Sequence, residues 1–133
     1  MSSGQAAETL AILNLAEVGD HIVSSPSLYG GTYNLFHYTL PKLGIEVSFV
    51  ENPDDLQQWR DAIRPNTKMF FFETPSNPSL EIVDIAAVSK IAHAAGAIVI
   101  VDNVFATPMG QKPLEHGADL VVRSLDPRVD VTV

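Results

Sequence analysis

Ala97-Ile98-Val99-Ile100-Val101-Asp102-Asn103 is an unbroken apolar run that closes on an acid and an amide. A strand with one wet face alternates polar and apolar residues, and this one does not. It reads as a central strand of a parallel sheet, covered by helices on both faces. Lys68–Glu73, with Met69-Phe70-Phe71-Phe72 inside it, has the same continuous apolar character. Leu120–Val122 is a third buried strand. Outward from these, His21–Ser25 and the β-branched Ile45–Val50 read as further strands. Helical patterns lie between them. Residues 3–17 are rich in Ala, Leu and Glu, with Ala7, Leu10, Ala11, Asn14 and Leu15 at roughly helical spacing. Ser2 or Ser3 would cap this helix and Gly19 would stop it. Residues 31–43 form a second helix. Pro53-Asp54-Asp55 opens a third, which carries Leu56, Trp59 and Ile63. Asp84 caps a fourth, which runs to Ala95 and ends at Gly96. Strand–helix alternation of this kind predicts an α/β fold: a three-layer, mostly parallel sheet.

The chain has 133 residues and a mass of 14.4 kDa, about one domain. Hydrophobic residues make up 46% and charged residues 18%, the composition of a packed core and not of a disordered chain. With 16 acidic against 8 basic residues the net charge is −8. The basic residues are scattered, so neither a nucleic-acid face nor a polybasic membrane patch is expected. No apolar run approaches the ~20 residues of a spanning helix. The chain has no cysteine, which excludes disulfides and thiolate chemistry. A cytoplasmic setting is the default expectation. His21, His37, His93 and His116 lack metal-ligand spacing, and no metal site is expected.

In open α/β sheets, ligands sit beyond the carboxyl ends of the strands. The residues just after strands are therefore the ones to read for chemistry. Asp102 ends a buried strand, where a carboxylate is costly without a cation, a metal or a donor. It could hold Mg²⁺, grip a ribose, or pair with a protonated ring nitrogen. Neither GxxxxGK[ST] nor GxGxxG accompanies it. It could equally cap the next loop through backbone N–H groups. Ser2-Ser3-Gly4-Gln5 precedes a helix and is either an anion site or a plain cap. Tyr29, beside Gly30 and Gly31, could stack on a ligand ring and leave its hydroxyl for proton transfer, or pack on the core. In Glu73-Thr74-Pro75-Ser76-Asn77-Pro78 the prolines stiffen the loop that carries Asn77. Asn77 could donate to a ligand oxygen or close an Asx turn.

In that order, Ser3-Gly4-Gln5-Ala6-Ala7, Tyr29-Gly30-Gly31-Thr32, Glu73–Pro78, Val101-Asp102-Asn103 and Gly117–Val122 resemble the Cys/Met-metabolism family of pyridoxal-phosphate enzymes. The family includes cystathionine γ-synthase, the γ-lyases and the O-acyl-homoserine sulfhydrylases. The wording is nearest to O-succinylhomoserine sulfhydrylases. The resemblance implies the large domain of the aspartate-aminotransferase-like fold, truncated at both ends, over residues 1–124, with a divergent tail over 125–133. It implies pyridoxal phosphate (PLP) as cofactor. Gly4 and Gln5 would meet its phosphate through backbone N–H groups, and Ser124 would also touch the phosphate. Tyr29 would stack on the ring, Asn77 would meet the phenolic oxygen, and Asp102 would pair with the ring nitrogen. It further implies γ-replacement on a small amino-acid substrate, an O-acyl-homoserine, toward homocysteine or cystathionine. These are the transferase and lyase reactions of methionine biosynthesis and transsulfuration. A homo-oligomeric or association-prone chain is expected, because edge strands would lack cover.

The family's His-Ser-x-Thr-Lys motif departs here. The chain reads Arg123-Ser124-Leu125-Asp126-Pro127. No lysine follows Ser124, so no catalytic Schiff-base lysine is present and covalent attachment of the cofactor is not expected. Asp126 stands near the place of a phosphate-binding threonine and would repel a phosphate. The chain is thus expected to be an interior fragment, inactive in replacement chemistry. The alternative is a non-catalytic remnant that folds or contacts partners with weak cofactor binding or none.

Overall fold

The computed structural model describes residues 4–26, 30–73, 84–102, 117–125 and 128–132. Helix α1 (Gly4–Leu15) leads into β1 (His21–Ser24). A helical stretch follows: α2 (Gly30–Asn34), a π-helical turn (Leu35–Thr39) and α3 (Leu40–Lys42). Then come β2 (Glu46–Phe49), α4 (Leu56–Asp61), β3 (Thr67–Glu73), α5 (Ile85–Ala94), β4 (Ile98–Asp102), β5 (Leu120–Leu125) and β6 (Arg128–Thr132). The strands form one sheet in the order β2-β1-β3-β4-β5-β6. All neighbours are parallel except β5 and β6, which are antiparallel. Among the described residues no helix is long and apolar enough to cross a membrane.

The continuous apolar strands divide their side chains between two cores. On one face Phe70, Phe72, Val99, Val101 and Val121 meet Trp59 of α4 and Ile85, Val88 and Ala92 of α5. On the other, Met69, Phe71 and Ile100 meet Ile12 of α1, Ala16 just after it, Leu35 and Phe36 of the π turn and Leu40 of α3. This is the three-layer arrangement expected of unbroken apolar strands. Phe36 sets its ring edge-on to Phe71 with centroids 4.9 Å apart. Trp59 stacks on Phe70, and its indole Nε1 donates to the Pro53 carbonyl at 3.0 Å.

Several local readings change. Helix α4 starts at Leu56: Asp55 is its N-cap and accepts from the Gln57 N–H at 3.0 Å. Pro53 lies before the helix, where its carbonyl serves Trp59. Leu10 is exposed, and among the described side chains of α1 the buried ones are Ala11 and Ile12. The helix over 30–42 widens to a π turn just before Pro41. A proline at that place has no N–H for the His37 carbonyl and its ring would strike it, and the wider turn accommodates both effects. Asp84 caps α5 as expected, accepting from the Ala87 N–H at 3.1 Å. Residues 128–132, read as a tail, contribute the edge strand β6.

Gly117 has φ +110°, and a Cβ added there would lie 3.0 Å from the Ser89 side chain. Both backbone strain and contact oppose a larger residue. Three substitutions rank the forces. Phe71→Ala is expected to destabilise by about 3–5 kcal/mol through lost burial and a cavity. Gly117→Ala is expected to cost about 1–3 kcal/mol, and loss of the cap in Asp84→Ala about 1 kcal/mol. Urea denaturation followed by Trp59 fluorescence measures all three.

Candidate functional site

In this strand order the chain runs outward to β2, then crosses over β1 to reach β3. The direction of winding therefore reverses between β1 and β3. Open α/β sheets bind ligands at such a switch point, beyond the carboxyl ends of the strands. The side chains at that edge decide what can bind.

Two of them are acids. Glu73 ends β3 and Asp102 ends β4, and they are register partners on neighbouring parallel strands. Side chains alternate faces along a strand, so Glu73 follows Phe71 and Asp102 follows Ile100. Both point toward the face covered by α1 and the π-turn region. Glu73 is 3% and Asp102 6% exposed. Neither is without an interaction partner. Two acidic side chains in register at this depth are costly to ionise together unless a cation or donors meet them.

Helix α1 brings the opposite polarity to the same edge. It is joined to the amino end of β1 by the short connection over residues 16–20, so it runs antiparallel to the strands. Its 12 residues span about 18 Å at 1.5 Å per residue. That is close to the length of the five-residue β4, about 16 Å. The first turn of this helix is formed by Gly4 and Gln5. The α1 backbone runs beside β5 and β6. Ser124 lies two residues past Val122, the register partner of Asp102, and so beyond the same edge. A helix N-terminus with free N–H groups favours an anion.

Of the sequence-predicted residues, Asp102 ends β4 at this edge, Ser124 lies two residues past its register partner Val122, and Gly4 and Gln5 form the first turn of α1. Tyr29 and Asn77 lie outside the described residues, as does the stretch from Asn103 that a capping Asp102 would serve. β1 and β3, the strands that precede Tyr29 and Asn77, end at this edge.

Sequence reasoning missed two residues. Glu73 was read only as part of a loop motif, although its place at the end of an apolar run is the same signal that singled out Asp102. Ser25 follows β1 and is 2% exposed, and its N–H donates to the Phe71 carbonyl at 3.1 Å. Its buried hydroxyl oxygen has no hydrogen-bond partner among the described residues. Nothing in a Ser-Ser-Pro string signals that.

A scan against family models matches residues 1–126 to "Cys/Met metabolism PLP-dependent enzyme". The chain belongs to this family of pyridoxal-phosphate-dependent enzymes. It is 60% identical over 124 residues to an O-acetyl-L-homoserine sulfhydrylase of Corynebacterium glutamicum, covering 93% of this chain and 28% of that protein. It is 45% identical over 129 residues to an O-succinylhomoserine sulfhydrylase of Pseudomonas aeruginosa, covering 97% of this chain and 32% of that one. The crystal structure of a cystathionine γ-lyase from Lactobacillus plantarum complexed with L-serine superposes with a TM-score of 0.88 at 42% identity, over 92% of this chain and 32% of that one. The chain thus spans about a third of the length of these relatives. Identity is higher to the acetyl-named than to the succinyl-named sulfhydrylase, against the leaning toward the succinyl enzymes read from the motifs.

The residues at the edge fit part of the cofactor. An acid held at a strand end suits a protonated ring nitrogen, and a helix N-terminus suits a phosphate. Where the family's motif departs, the chain reads Ser124-Leu125-Asp126-Pro127, with no lysine among these residues.

The unpartnered Ser25 hydroxyl makes its own prediction. Removing a buried donor that has no partner should cost nothing, since no bond is lost. Ser25→Ala should melt at or slightly above the wild-type temperature by differential scanning calorimetry. A loss of more than about 1 kcal/mol would mean that the hydroxyl is bonded in the folded protein.

Proposed function

We propose that this chain is the cofactor-facing part of a PLP enzyme of γ-replacement on an O-acyl-homoserine, and that it binds PLP reversibly without performing that reaction. The carrying observation is Asp102, 6% exposed at the end of an otherwise apolar strand. Asp102 would pair with the ring nitrogen and keep it protonated. Gly4 and Gln5 would hold the phosphate through backbone N–H groups, with Ser124 beside them. Tyr29 would cover the ring face and Asn77 would meet the phenolic oxygen. When bound, the cofactor supplies an electron sink for a carbanion formed on an amino-acid substrate.

The chain's own contribution ends at binding and orientation. Ser124-Leu125-Asp126-Pro127 offers no lysine as covalent tether or base, and a base alone contributes roughly 10²–10⁴-fold. Asp126 adds a like charge near the phosphate. In this reading residues 1–124 are the cofactor-binding part and residues 125–133 a tail that departs from the family's motif. A cytoplasmic setting accords with the absence of cysteine. Self-association is expected through the edge strands β2 and β6, which each pair on one side only. A second reading, a non-catalytic remnant that folds without the cofactor, is favoured by the same Asp126 and Pro127.

The readings separate in one titration. PLP added to the purified chain should bind reversibly and be displaced by inorganic phosphate. Asp102→Asn should weaken binding by about tenfold or more, the scale of a lost charge-assisted bond. Borohydride treatment followed by mass spectrometry should give no stoichiometric adduct on any single lysine. A specific adduct, or turnover of O-acetylhomoserine with sulfide, would overturn the proposal of a non-covalent, inactive binder. Absence of binding would leave the remnant reading.

A further inference from the structure

At the opposite, amino end of the sheet lies a polar cluster that the cofactor reading does not use. His21, the first residue of β1, is fully buried. Its Nδ1 lies 2.7 Å from the Thr67 Oγ1 of β3, and its Nε2 lies 2.8 Å from the Ser48 Oγ of β2. One imidazole therefore joins the two strands that flank β1. Thr67 Oγ1 also accepts the Arg64 N–H at 2.8 Å. The register between β1 and β3 slips at this point: His21 faces Thr67, whereas Ile22 faces Met69. The backbone around the slip is tied by the His21 N–H donating to the Asn66 carbonyl at 3.0 Å and by Asn66 Nδ2 donating to the Gly19 carbonyl at 2.8 Å.

The cluster matters most to β2. As an edge strand it is hydrogen-bonded to β1 alone, and its burial is only partial. The His21–Ser48 bond is a side-chain tie between β2 and the sheet interior. We propose that His21 is a proton-operated latch, whose neutral imidazole holds edge strand β2 to β1 and β3 and whose protonation loosens that strand.

The charged groups around the ring are Arg64, in the turn before β3, and Glu46 on β2, which pair with each other at 2.6 Å. Lys68, beside Thr67 on β3, is exposed, and Asp20, the residue before His21, accepts from the Glu17 N–H at 2.8 Å. Burial disfavours the imidazolium, Arg64 disfavours it further, and Glu46 partly offsets them, so the folded His21 titrates below its ordinary 6.5. An opened β2 returns the ring to water and to that ordinary value. The opened form then binds more protons than the closed one. The latch is therefore fully closed above about pH 6.5 and weakens as the pH falls through that value.

Residue-resolved amide hydrogen exchange on the full chain tests this, with intrinsic rates corrected for pH. Protection of the β2 amides should fall between pH 7.5 and 5.5, by up to about tenfold, while the β3 and β4 amides keep theirs. His21→Gln retains a polar side chain but cannot gain charge, so it should abolish the pH dependence of β2. If that variant does not fold, Ser48→Ala provides the second arm. It should lower β2 protection at pH 7.5 and shrink the pH effect. Unchanged β2 protection across this range, an equal loss in all strands, or the same pH effect in His21→Gln would each overturn the latch.

Discussion

A carboxylate at the end of a buried strand needs compensation, and the rest of the site is arranged around that need. The core of this protein is apolar through both faces of β3 and β4, and it stops at Glu73 and Asp102. Each strand could have closed on another valine or phenylalanine at lower cost in desolvation. The acids instead share one face, in register, with the N-terminus of α1 directed to the same edge. Both acids have interaction partners within the protein; in the proposed reading Asp102 also meets the cationic ring nitrogen of the family's cofactor.

The fold was legible wherever burial was complete. Strands covered on both faces leave unbroken apolar runs, and β3 and β4 were read to within a residue. Asp84 announced the start of α5 because a short acid before an apolar helix has one economical use. The edges were less legible. β6 carries Arg128, Asp130 and Thr132, an alternation that an edge strand tolerates but that does not distinguish it from loop. The π turn was invisible because its cause is a steric exclusion at Pro41, not a preference of the residues that adopt it. Leu10 and Ile12 exchanged places because α1 is apolar around much of its circumference, so spacing alone does not pick its inner face.

The site divided in the same way. Asp102 and Gly4 stood out because each breaks a local pattern: a charge at the end of an apolar run, and a glycine at a helix start. Glu73 has the same signal as Asp102 but was absorbed into the proline-rich loop that follows it. Which residues meet was not legible, since that depends on strand order. Only the crossing of β2 to β3 over β1 puts the ends of β1, β3 and β4 together. His21 was dismissed along with the other histidines for lacking metal spacing, whereas its partners, Ser48 and Thr67, are distant in sequence and are brought to it by register. The two ends of the sheet thus carry different chemistry: paired acids at the carboxyl end, and a neutral imidazole tie at the amino end.

The central claim is that Asp102 holds a protonated heteroaromatic nitrogen. Nitrogen-15 NMR of ring-labelled pyridoxal phosphate bound to the chain reads that proton directly. The account predicts a pyridinium shift with the wild-type chain at neutral pH and a shift toward the unprotonated ring with Asp102→Asn. An unprotonated ring nitrogen in the wild-type complex would contradict it.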